Sequence, residues 1–485
     1  MEAVATKKSQ HIELAVLSRM ENILQKQKQA FIREGHVSEA VRCDRIDRAI
    51  TLLLENETQL CQAMSHDFGH RSLHQSRMAD IGGTLESLKY AKKNLHKWMR
   101  HDKRKPMFPL GLFGAKARVE YQPKGVVGNL ATWNFPVHIP IGPLAGIFAA
   151  GNRCMVKLSE ITPETSALLE KLISKYFDES ELAGINGGPE VGAAFAALPF
   201  DHILFTGATG IARHILHAAA DNLTPVTLEL GGKSPVIISR STDIKEAALR
   251  IVSGKAINVG QVCLSPDYVF VPKEKRDSFL GYCQEHVRAM FPTMANNPDY
   301  SSVVNGRHRQ RLQAHLDDAR AKGAEIRELG QTENFAGQNR LPMTVVIEPS
   351  DAMTVMQEEI FGPIICVKTY GDIEECIRFI RARPHPLALY YFGQDKTEER
   401  YVLDHTLSGG VCVNDVMTHV SSEDLPFGGI GASGMGGYHG FDGFKTFSHH
   451  RAVYHQTKMN MIKLAGMMPP YGSKCEAQLK RMIKR

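Results

Sequence analysis

The sequence predicts an α/β fold with two sheet-containing domains, in which helices cover both faces of parallel sheets. Two observations predict it. After about Ala117, short β-branched runs alternate with helical segments, and this alternation restarts near Gly231. Strand–helix alternation favours parallel sheets with helices on both faces. A length of 485 residues agrees with two or three domains at ~150 residues each.

The first hundred residues are predicted to be helical. Apolar residues recur near helical spacing in two segments, at Leu17, Met20, Leu24 and Phe31 and at Ile46, Ala49, Leu53 and Leu60. Gly35 separates the two segments, and Gly69 lies beyond the end of the second.

The remaining chain is predicted to contain two series of strands. The first has runs at Val126–Val127, Met155–Val156, Ile203–Phe205 and Val226–Leu228, with helical stretches at Glu164–Phe177 and Ile211–Ala220. The second has runs at Val236–Ile238, Tyr268–Val271, Val345–Ile347, Ile364–Val367, Leu389–Phe392 and Val411–Asn414, with helices near 243–257, 274–290, 305–322 and 372–383.

The composition excludes several classes of function. The net charge of +6 is spread among 52 acidic residues, so nucleic-acid binding is not expected. Nine cysteines without a CxxC pair indicate free thiols in a reducing compartment, rather than disulfides or a zinc site. No leader is visible, and the least polar stretch, Ile139 to Gly151, is shorter than the ~20 residues of a spanning helix. We therefore expect a cytoplasmic protein without a bound metal.

Three polar residues are candidates for catalysis. Cys263 follows a helical stretch, where a cysteine is more often a buried core residue; a nucleophile would need partial exposure and positive potential. Glu229 stands between two leucines before paired glycines, either as a structural acid or as a general base with a raised pKa. Asn134, in TWNFP, either forms a turn or donates its amide to an oxyanion.

A cofactor site is indicated where a strand gives way to a helix at FTGATGIA, residues 205–212. Backbone N–H groups near Gly207, Thr209 and Gly210 could receive a pyrophosphate there, although the spacing is not G-x-G-x-x-G. Lys157 and Glu160 follow another strand and either hold ribose hydroxyls or form a helix-start charge pair capped by Thr162 or Ser159.

Taken together, these segments resemble the aldehyde dehydrogenase superfamily from about Leu14 to His455. Seven blocks occur in the order typical of that family, namely TWNFP at 132–136, VKLSE at 156–160, FTGATG at 205–210, LELGGKSP at 228–235, GQVC at 260–263, EEIFGP at 358–363 and LPFGGIGASGMGGYHG at 425–440. The last block is similar to the class 3-like branch that includes coniferyl aldehyde dehydrogenases. Ala212, Leu158 and Thr132 depart from common family residues without removing a functional group.

The resemblance implies a role for each block. Cys263 attacks the aldehyde, Asn134 and the Cys263 backbone N–H stabilise the oxyanion, and Glu229 activates the water that hydrolyses the thioester. Glu359 contacts the nicotinamide ribose near Phe361, and Lys157 and Glu160 contact the adenosine ribose. The residues implied or indicated for cofactor binding are Trp133, Lys157, Glu160, Gly207, Thr209, Gly210, Glu359 and Phe361.

The resemblance also implies an architecture and a reaction. We expect a Rossmann-like cofactor domain over residues 1–230, with a bridging strand near 115–124, a catalytic domain over 231–435, and an oligomerisation extension over 436–485. The expected enzyme is a homodimer without a membrane anchor that oxidises an apolar or aromatic aldehyde with NAD, or with NADP as the alternative cofactor. Two other readings stay open: a coenzyme A-acylating enzyme and an inactive structural relative.

Overall fold

The computed structural model describes residues 2–331, 333–335 and 337–484, with side chains described from residue 15 onward. The expectation that the chain begins without a leader therefore falls largely outside the described side chains. Within the described residues, helices and strands alternate along most of the chain after residue 117.

Sixteen strands are formed by the described residues: β1 Asp102–Arg104, β2 Lys116–Pro123, β3 Val126–Leu130, β4 Arg153–Lys157, β5 Leu182–Ile185, β6 His202–Thr206, β7 Val226–Glu229, β8 Ser234–Ile238, β9 Pro266–Pro272, β10 Glu325–Glu328, β11 Thr344–Ile347, β12 Ile364–Tyr370, β13 Ala388–Phe392, β14 Gly410–Val413, β15 Gly434–Met435 and β16 Ser448–His455.

The α-helices of the described residues are α1 Glu2–Glu34, α2 Glu39–Asp67, α3 Leu73–Gln75, α4 Gly83–Trp98, α5 His138–Ile141, α6 Leu144–Ala149, α7 Pro163–Tyr176, α8 Pro189–Ala196, α9 Thr209–Ala220, α10 Ile244–Ala256, α11 Arg276–Met290, α12 Gly306–Ala321, α13 Thr354–Gln357, α14 Ile373–Arg381, α15 Lys396–His405, α16 Gly440–Thr446, α17 Met461–Leu464 and α18 Ser473–Met482. A π-helical segment, Ser76–Gly82, connects α3 to α4.

The first sheet confirms the predicted Rossmann-like arrangement. Its six strands lie in the order β15-β7-β6-β3-β4-β5, and all neighbours are parallel except the short β15, which pairs antiparallel with β7. Strands β5 and β15 were not predicted from the sequence. Because β15 comes from residues 434 and 435, the late part of the chain contributes to the first sheet.

The second sheet has seven strands in the order β10-β11-β12-β9-β8-β13-β14, and only β10 is antiparallel to its neighbour. Along β8, Val236 and Ile238 pack into one hydrophobic cluster, and Ile237 packs into another on the opposite face. Both faces are therefore covered, as the near-continuous apolar strands predicted.

The third sheet joins distant parts of the chain. Its order is β1-β2-β16, and β2 pairs antiparallel with β16 from Lys116 opposite His455 to Pro123 opposite Ser448. Strand β2 coincides with the strand predicted near 115–124, and β16 lies within the extension predicted over 436–485. The bridging role of that extension and the domain boundaries stay predictions. Among the described helices, none is long and apolar enough to cross a membrane.

Candidate active site

Cys263 lies on a turn with an unusual backbone conformation. The turn links α10 to β9, and Asn258, Val259 and Gly260 all adopt positive φ angles, of 46°, 45° and 76°. Two of these residues are not glycine, and such left-handed conformations cost free energy that the surrounding structure must supply. A Cβ at Gly260 would lie 2.3 Å from the carbonyl oxygen of Gly362, so only glycine fits there.

Side-chain amides hold this turn in place. The Gln261 amide nitrogen donates to the carbonyl oxygens of Asn258 and Ser302, each at 3.1 Å, and its Oε1 accepts from the Val304 backbone N–H at 2.9 Å. The Asn258 backbone N–H donates to Gln75 at 2.8 Å. Buried hydrogen bonds of this kind fix a strained backbone because leaving any of the groups unpaired would be costly.

The surroundings of the Cys263 thiol meet one of the two conditions for a nucleophile. Cys263 is partly exposed and is one of two cysteines that are not buried. The neighbouring charges are negative rather than positive. Burial, followed by the charges of Glu359 and Glu229, raises the pKa of the thiol well above its ordinary value, while the Cys263 and Leu264 backbone N–H groups lower it. These surroundings favour the protonated thiol over the thiolate.

Asn134 lies beside the nucleophile turn and is almost fully buried. Its side-chain Nδ2 donates to the carbonyl oxygen of Gln261 at 3.2 Å, and its own carbonyl oxygen accepts from Arg71 and from Asn258, each at 2.9 Å. An asparagine amide has two N–H donors. One is used on Gln261, so the second is free for an oxyanion formed near Cys263.

Glu229 ends strand β7 and is 3% exposed. Neither carboxylate oxygen has a hydrogen-bond partner among the described residues. Burial raises the pKa of Glu229 well above its ordinary value. The nearby Lys233 does not pair with Glu229, because its ammonium donates to Asp267 at 3.0 Å and to backbone carbonyl oxygens instead. An unpaired, buried carboxyl of this kind is suited to accept a proton from water near neutral pH.

A second carboxylate, that of the half-buried Glu359, lies against the glycine pair that follows β7. A Cβ at Gly231 would lie 2.3 Å from Glu359 Oε1 and 2.4 Å from Oε2, so the carboxylate fills the space above that backbone. Burial and then the Asp267 charge raise the pKa of Glu359 to about 8, although a hydrogen bond from the Gly232 backbone lowers it. The Glu359 Oε1 atom has no partner among the described residues.

Aromatic rings adjoin this carboxylate loop. Phe361 has a φ of 49° and packs edge-on against Trp133, with ring centroids 5.3 Å apart. Trp133 also lies 4.9 Å from the ring of His308 and 6.3 Å from that of Phe68. The rings of Trp133 and Phe361, both of which were predicted to bind the cofactor, are thus in contact with each other.

Helix α9 begins at the segment predicted to receive a pyrophosphate. Its N-cap, Ala208, provides no side-chain hydrogen bond, and the Thr209 and Gly210 backbone N–H groups have no acceptor among the described residues, so these two groups can bind an anion. A Cβ at Gly207 would lie 2.5 Å from the Phe205 ring, and a Cβ at Gly210 would meet nothing within 4 Å. The Thr209 hydroxyl donates to the Ala432 carbonyl oxygen at 2.9 Å, so its own hydrogen points away from an incoming phosphate.

A cavity of about 630 Å³ extends from this helix to Glu359. Gly231, Lys233 and Arg213 also line it. Arg213 was not predicted from the sequence as a site residue. Its spacing could have indicated it, because it follows Thr209 by four residues on a helix and therefore lies on the same helix face. A cationic side chain there complements a ligand that carries phosphates.

Lys157 and Glu160 form a pair at the carboxyl end of β4. The Lys157 ammonium lies 3.4 Å from Glu160 Oε2 and donates to the Leu158 carbonyl oxygen at 2.6 Å. Lys157 is buried, which lowers its pKa, whereas Glu160 is exposed. In the alternative of a helix-start charge pair, Thr162 or Ser159 would cap the following helix. Thr162 does occupy the N-cap position of α7, but its side chain makes no capping hydrogen bond, and the Asp67 carboxylate accepts from the first backbone N–H groups instead.

Comparisons with known proteins agree with this geometry. The profile of the aldehyde dehydrogenase family matches residues 3–453. The chain is 49% identical over 471 residues to the probable coniferyl aldehyde dehydrogenase of Caulobacter vibrioides, covering 96% of this chain and 97% of that one. It is also 49% identical to the coniferyl aldehyde dehydrogenase of Pseudomonas sp. strain HR199, covering 93% of each.

Solved structures show the same fold. Staphylococcus aureus AldH in its substrate-bound state has a TM-score of 0.89 and 33% identity, covering 96% of this chain and 99% of that one. A Mycobacterium tuberculosis aldehyde dehydrogenase complexed with NAD⁺ has a TM-score of 0.81 at 23% identity, covering 92% and 91%.

Proposed function

Because this chain belongs to the aldehyde dehydrogenase family, and is thus an oxidoreductase acting on aldehydes, we propose that it oxidises an apolar or aromatic aldehyde to the acid through Cys263. The observation that carries this proposal is the grouping of three functions around one turn. A partly exposed thiol lies near an amide with a free N–H donor and near the unpaired carboxylate of Glu229.

The first half of the reaction uses the thiol and the amide. The Cys263 thiol loses its proton to solvent water, its sulfur bonds to the aldehyde carbon, the carbon–oxygen π bond breaks, and the carbonyl oxygen gains the negative charge of a thiohemiacetal. The free Asn134 N–H and the Cys263 backbone N–H donate to that oxygen. Fixed donors of this kind stabilise charge in the transition state because they need no reorganisation when it develops.

The second half uses the carboxylate. Once the aldehyde hydrogen has left as hydride, the substrate remains bound to Cys263 as a thioester. Glu229 removes a proton from water, the resulting oxygen nucleophile attacks the thioester carbon, and the carbon–sulfur bond breaks. The acid leaves and the thiol is restored. A buried carboxyl with a raised pKa is well matched to this base role, because its affinity for the proton is highest where solvation is weakest.

We propose NAD as the cofactor, with NADP as an alternative. The cofactor supplies a hydride acceptor when it is bound. The residues fit such a group, since α9 leaves its first N–H groups free and the adjacent cavity contains Arg213. The backbone N–H groups of Thr209 and Gly210 would hold the phosphates. Gly207 would border them, because its own N–H donates to the Glu229 carbonyl oxygen at 3.0 Å. Lys157 and Glu160 would hold the adenosine ribose, Glu359 the nicotinamide ribose, and Trp133 and Phe361 would lie near that ring.

Aromatic residues near the thiol support the substrate class. The Tyr390 hydroxyl donates to the carbonyl oxygen of Leu264, the residue after Cys263, at 2.6 Å. Burial, followed by the charges of Glu229 and Cys263, raises the pKa of Tyr438. Phe427 packs edge-on against Tyr438 at 6.1 Å. Rings prefer such offset contacts with other rings, which favours an aromatic aldehyde. Coniferyl aldehyde, named for two relatives at 49% identity, is the proposed example.

We also propose a cytoplasmic homodimer. All nine cysteines are free, which is typical of proteins from a reducing compartment. Strand β16 lies at the edge of the third sheet, and most of its residues are exposed. An exposed sheet edge can pair with a strand of a second copy.

The proposal is tested by a matched pair of cysteine variants. We expect Cys263→Ser to abolish aldehyde oxidation while cofactor affinity stays nearly unchanged, because a hydroxyl has no low-pKa form comparable to a thiolate. Cys43→Ser, at the other partly exposed cysteine, is the control and should keep normal turnover. Near-normal oxidation by the Cys263 variant would refute the assignment.

A panel of aldehydes completes the test. Aromatic, aliphatic and acid-bearing aldehydes are ranked by kcat/KM with each cofactor, and the products are analysed with and without coenzyme A. Preference for aromatic substrates and release of a free acid are expected. A product found only as the coenzyme A ester would make the enzyme an acylating one, and no turnover with any aldehyde would favour the inactive relative.

A further inference from the structure

A buried ion pair lies behind the oxyanion side chain, outside the set of groups that react. The Arg71 guanidinium donates to Asp80 Oδ2 at 2.7 Å, and both side chains are 0% exposed. Arg71 lies between α2 and α3, and Asp80 lies in the π-helical segment. π-Helical turns occur frequently at functional sites.

Both members of the pair bind the TWNFP segment. Arg71 Nη1 donates to the Asn134 carbonyl oxygen at 2.9 Å. Asp80 Oδ1 accepts from the backbone N–H groups of Val137 and His138, at 3.0 and 3.1 Å. The ion pair therefore holds the backbone at Asn134 and again three and four residues later, at the start of α5.

Aromatic rings fix the guanidinium further. Its carbon lies 4.8 Å from the centroid of Phe68 and 5.3 Å from that of Phe135. A planar guanidinium can stack and donate in two directions at once, which an ammonium cannot do. The arrangement thus depends on arginine rather than on positive charge alone.

Stability alone does not explain this pair. Removing two charges from water is costly, and well-packed apolar residues often serve as well or better at a buried position. What an apolar pair would not provide is a set of directed hydrogen bonds to one peptide carbonyl and two peptide N–H groups. Those bonds determine where the Asn134 side chain points.

We propose that Arg71 and Asp80 are positioning residues that aim the free Asn134 N–H at the oxygen of the reacting aldehyde. This inference rests on the proposed function, in which Asn134 stabilises the oxyanion. Asn258 donates to the same Asn134 carbonyl from the nucleophile turn at 2.9 Å. The Asn134 carbonyl oxygen thus links the ion pair to the turn that carries Cys263. The same hydrogen bonds therefore fix the position of Asn134 relative to Cys263.

The first test is Arg71→Lys. This variant keeps the positive charge opposite Asp80 but lacks the second guanidinium nitrogen, which donates to the Asn134 carbonyl oxygen. We expect the first-turnover rate of NADH formation, measured by rapid mixing with excess aldehyde, to fall by about 10- to 100-fold, since a displacement near 1 Å costs roughly that much. The affinity for NADH, measured by fluorescence titration, should change by less than about 2-fold because the pair does not contact the cofactor cavity.

A double-mutant cycle separates positioning from general damage. Asn134→Ala should slow the first turnover by about 10²- to 10³-fold, the usual effect of losing one oxyanion donor. If Arg71 acts through Asn134, the double variant should be within about 3-fold of Asn134→Ala alone. Multiplied losses in the double variant would overturn the proposal. A normal rate for Asn134→Ala would instead refute the oxyanion role in the proposed function, which is a distinct failure.

The matched control is Arg45→Lys. Arg45 is also a buried arginine, 1% exposed, and pairs with Glu34 and Glu181 away from Cys263. It should lower the melting temperature without changing the first-turnover rate. If Arg71→Lys does not fold, Asp80→Glu provides the second variant, because it keeps the charge pair and displaces the carboxylate from Val137 and His138. A normal rate in a folded Arg71→Lys or Asp80→Glu protein would also overturn the proposal.

Discussion

The close packing of Gly231 against Glu359 makes a single methyl group a sharp probe of the cofactor cavity. In Gly231→Ala, the new Cβ would lie 2.3 and 2.4 Å from the two carboxylate oxygens and 2.6 Å from the carboxyl carbon. Ordinary carbon contacts begin near 3.4 Å, so the carboxylate must withdraw by about 1 Å. It can do so by side-chain rotation, because the three atoms nearest to the new methyl all belong to the Glu359 side chain.

The expected effect is on function rather than on folding. An off-rotamer Glu359 costs about 0.5–1.5 kcal/mol, and replacing glycine by alanine stabilises by about 0.4–1 kcal/mol through the unfolded chain. These contributions nearly cancel, so the melting temperature should change by less than about 3 °C. Displacing a cofactor-orienting group by about 1 Å should lower kcat/KM for NAD by about 10- to 100-fold.

The assay combines steady-state kinetics at varied NAD with a thermal melt of the same sample. Gly281→Ala, in the middle of α11, is the control, because its Cβ would meet nothing within 4 Å. It should leave kinetics unchanged and raise stability by about 0.5–1 kcal/mol. If Gly231→Ala keeps the wild-type kcat/KM for NAD, Glu359 does not orient the cofactor from its position above Gly231.

Three further predictions concern the carboxylates. Glu229→Gln should retain a rapid first equivalent of NADH and lose about 10²- to 10⁴-fold in steady turnover, since the base acts on water; a slow first equivalent would show that it deprotonates Cys263 instead. Glu160→Gln should shift the ratio of KM values toward NADP, because a 2′-phosphate no longer meets a negative charge; an unchanged ratio would remove Glu160 from the ribose site. The pKa of Glu359, raised to about 8, means that the folded apoenzyme loses stability as pH rises from about 4.5 toward 8. Glu359→Gln should therefore gain melting temperature relative to wild type from pH 5 to pH 8, and a constant difference would contradict the raised pKa.

The secondary structure could largely be predicted from the sequence because the chain's signals for it are local. Val236–Ile238 and Tyr268–Val271 were predicted as strands, and they lie inside β8 and β9. Gly35 and Gly69 both adopt left-handed φ angles at helix ends, of 64° and 69°, as their positions predicted. Strand β15 was not predicted, because two residues carry no periodicity and pair only when a distant strand is in place.

The candidate site residues could be named from the sequence, but their environment could not be predicted. Cys263, Glu229 and Asn134 stand out by their immediate neighbours in sequence. The pairing of Arg71 with Asn134 spans 63 positions, and no local pattern relates the two residues. The left-handed turn at Asn258 and Val259 was equally hidden, because tertiary hydrogen bonds rather than propensity impose it. For the same reason, the carboxylates around the Cys263 thiol could not be inferred from its own segment.

The pairing of β15 with β7 has a consequence for the biosynthesis of the enzyme. Gly434 lies opposite Glu229, and the Leu230 backbone N–H donates to the Ser433 carbonyl oxygen at 3.1 Å. Strand β7, which ends in Glu229, therefore lacks its outer neighbour until the ribosome has added roughly two hundred more residues, about 10–40 s at usual rates of synthesis. During that interval β7 is an exposed sheet edge, open to mispairing with other nascent chains. Slowing translation beyond codon 229 should thus increase aggregation of the newly made protein, and co-expressed chaperones should reduce it.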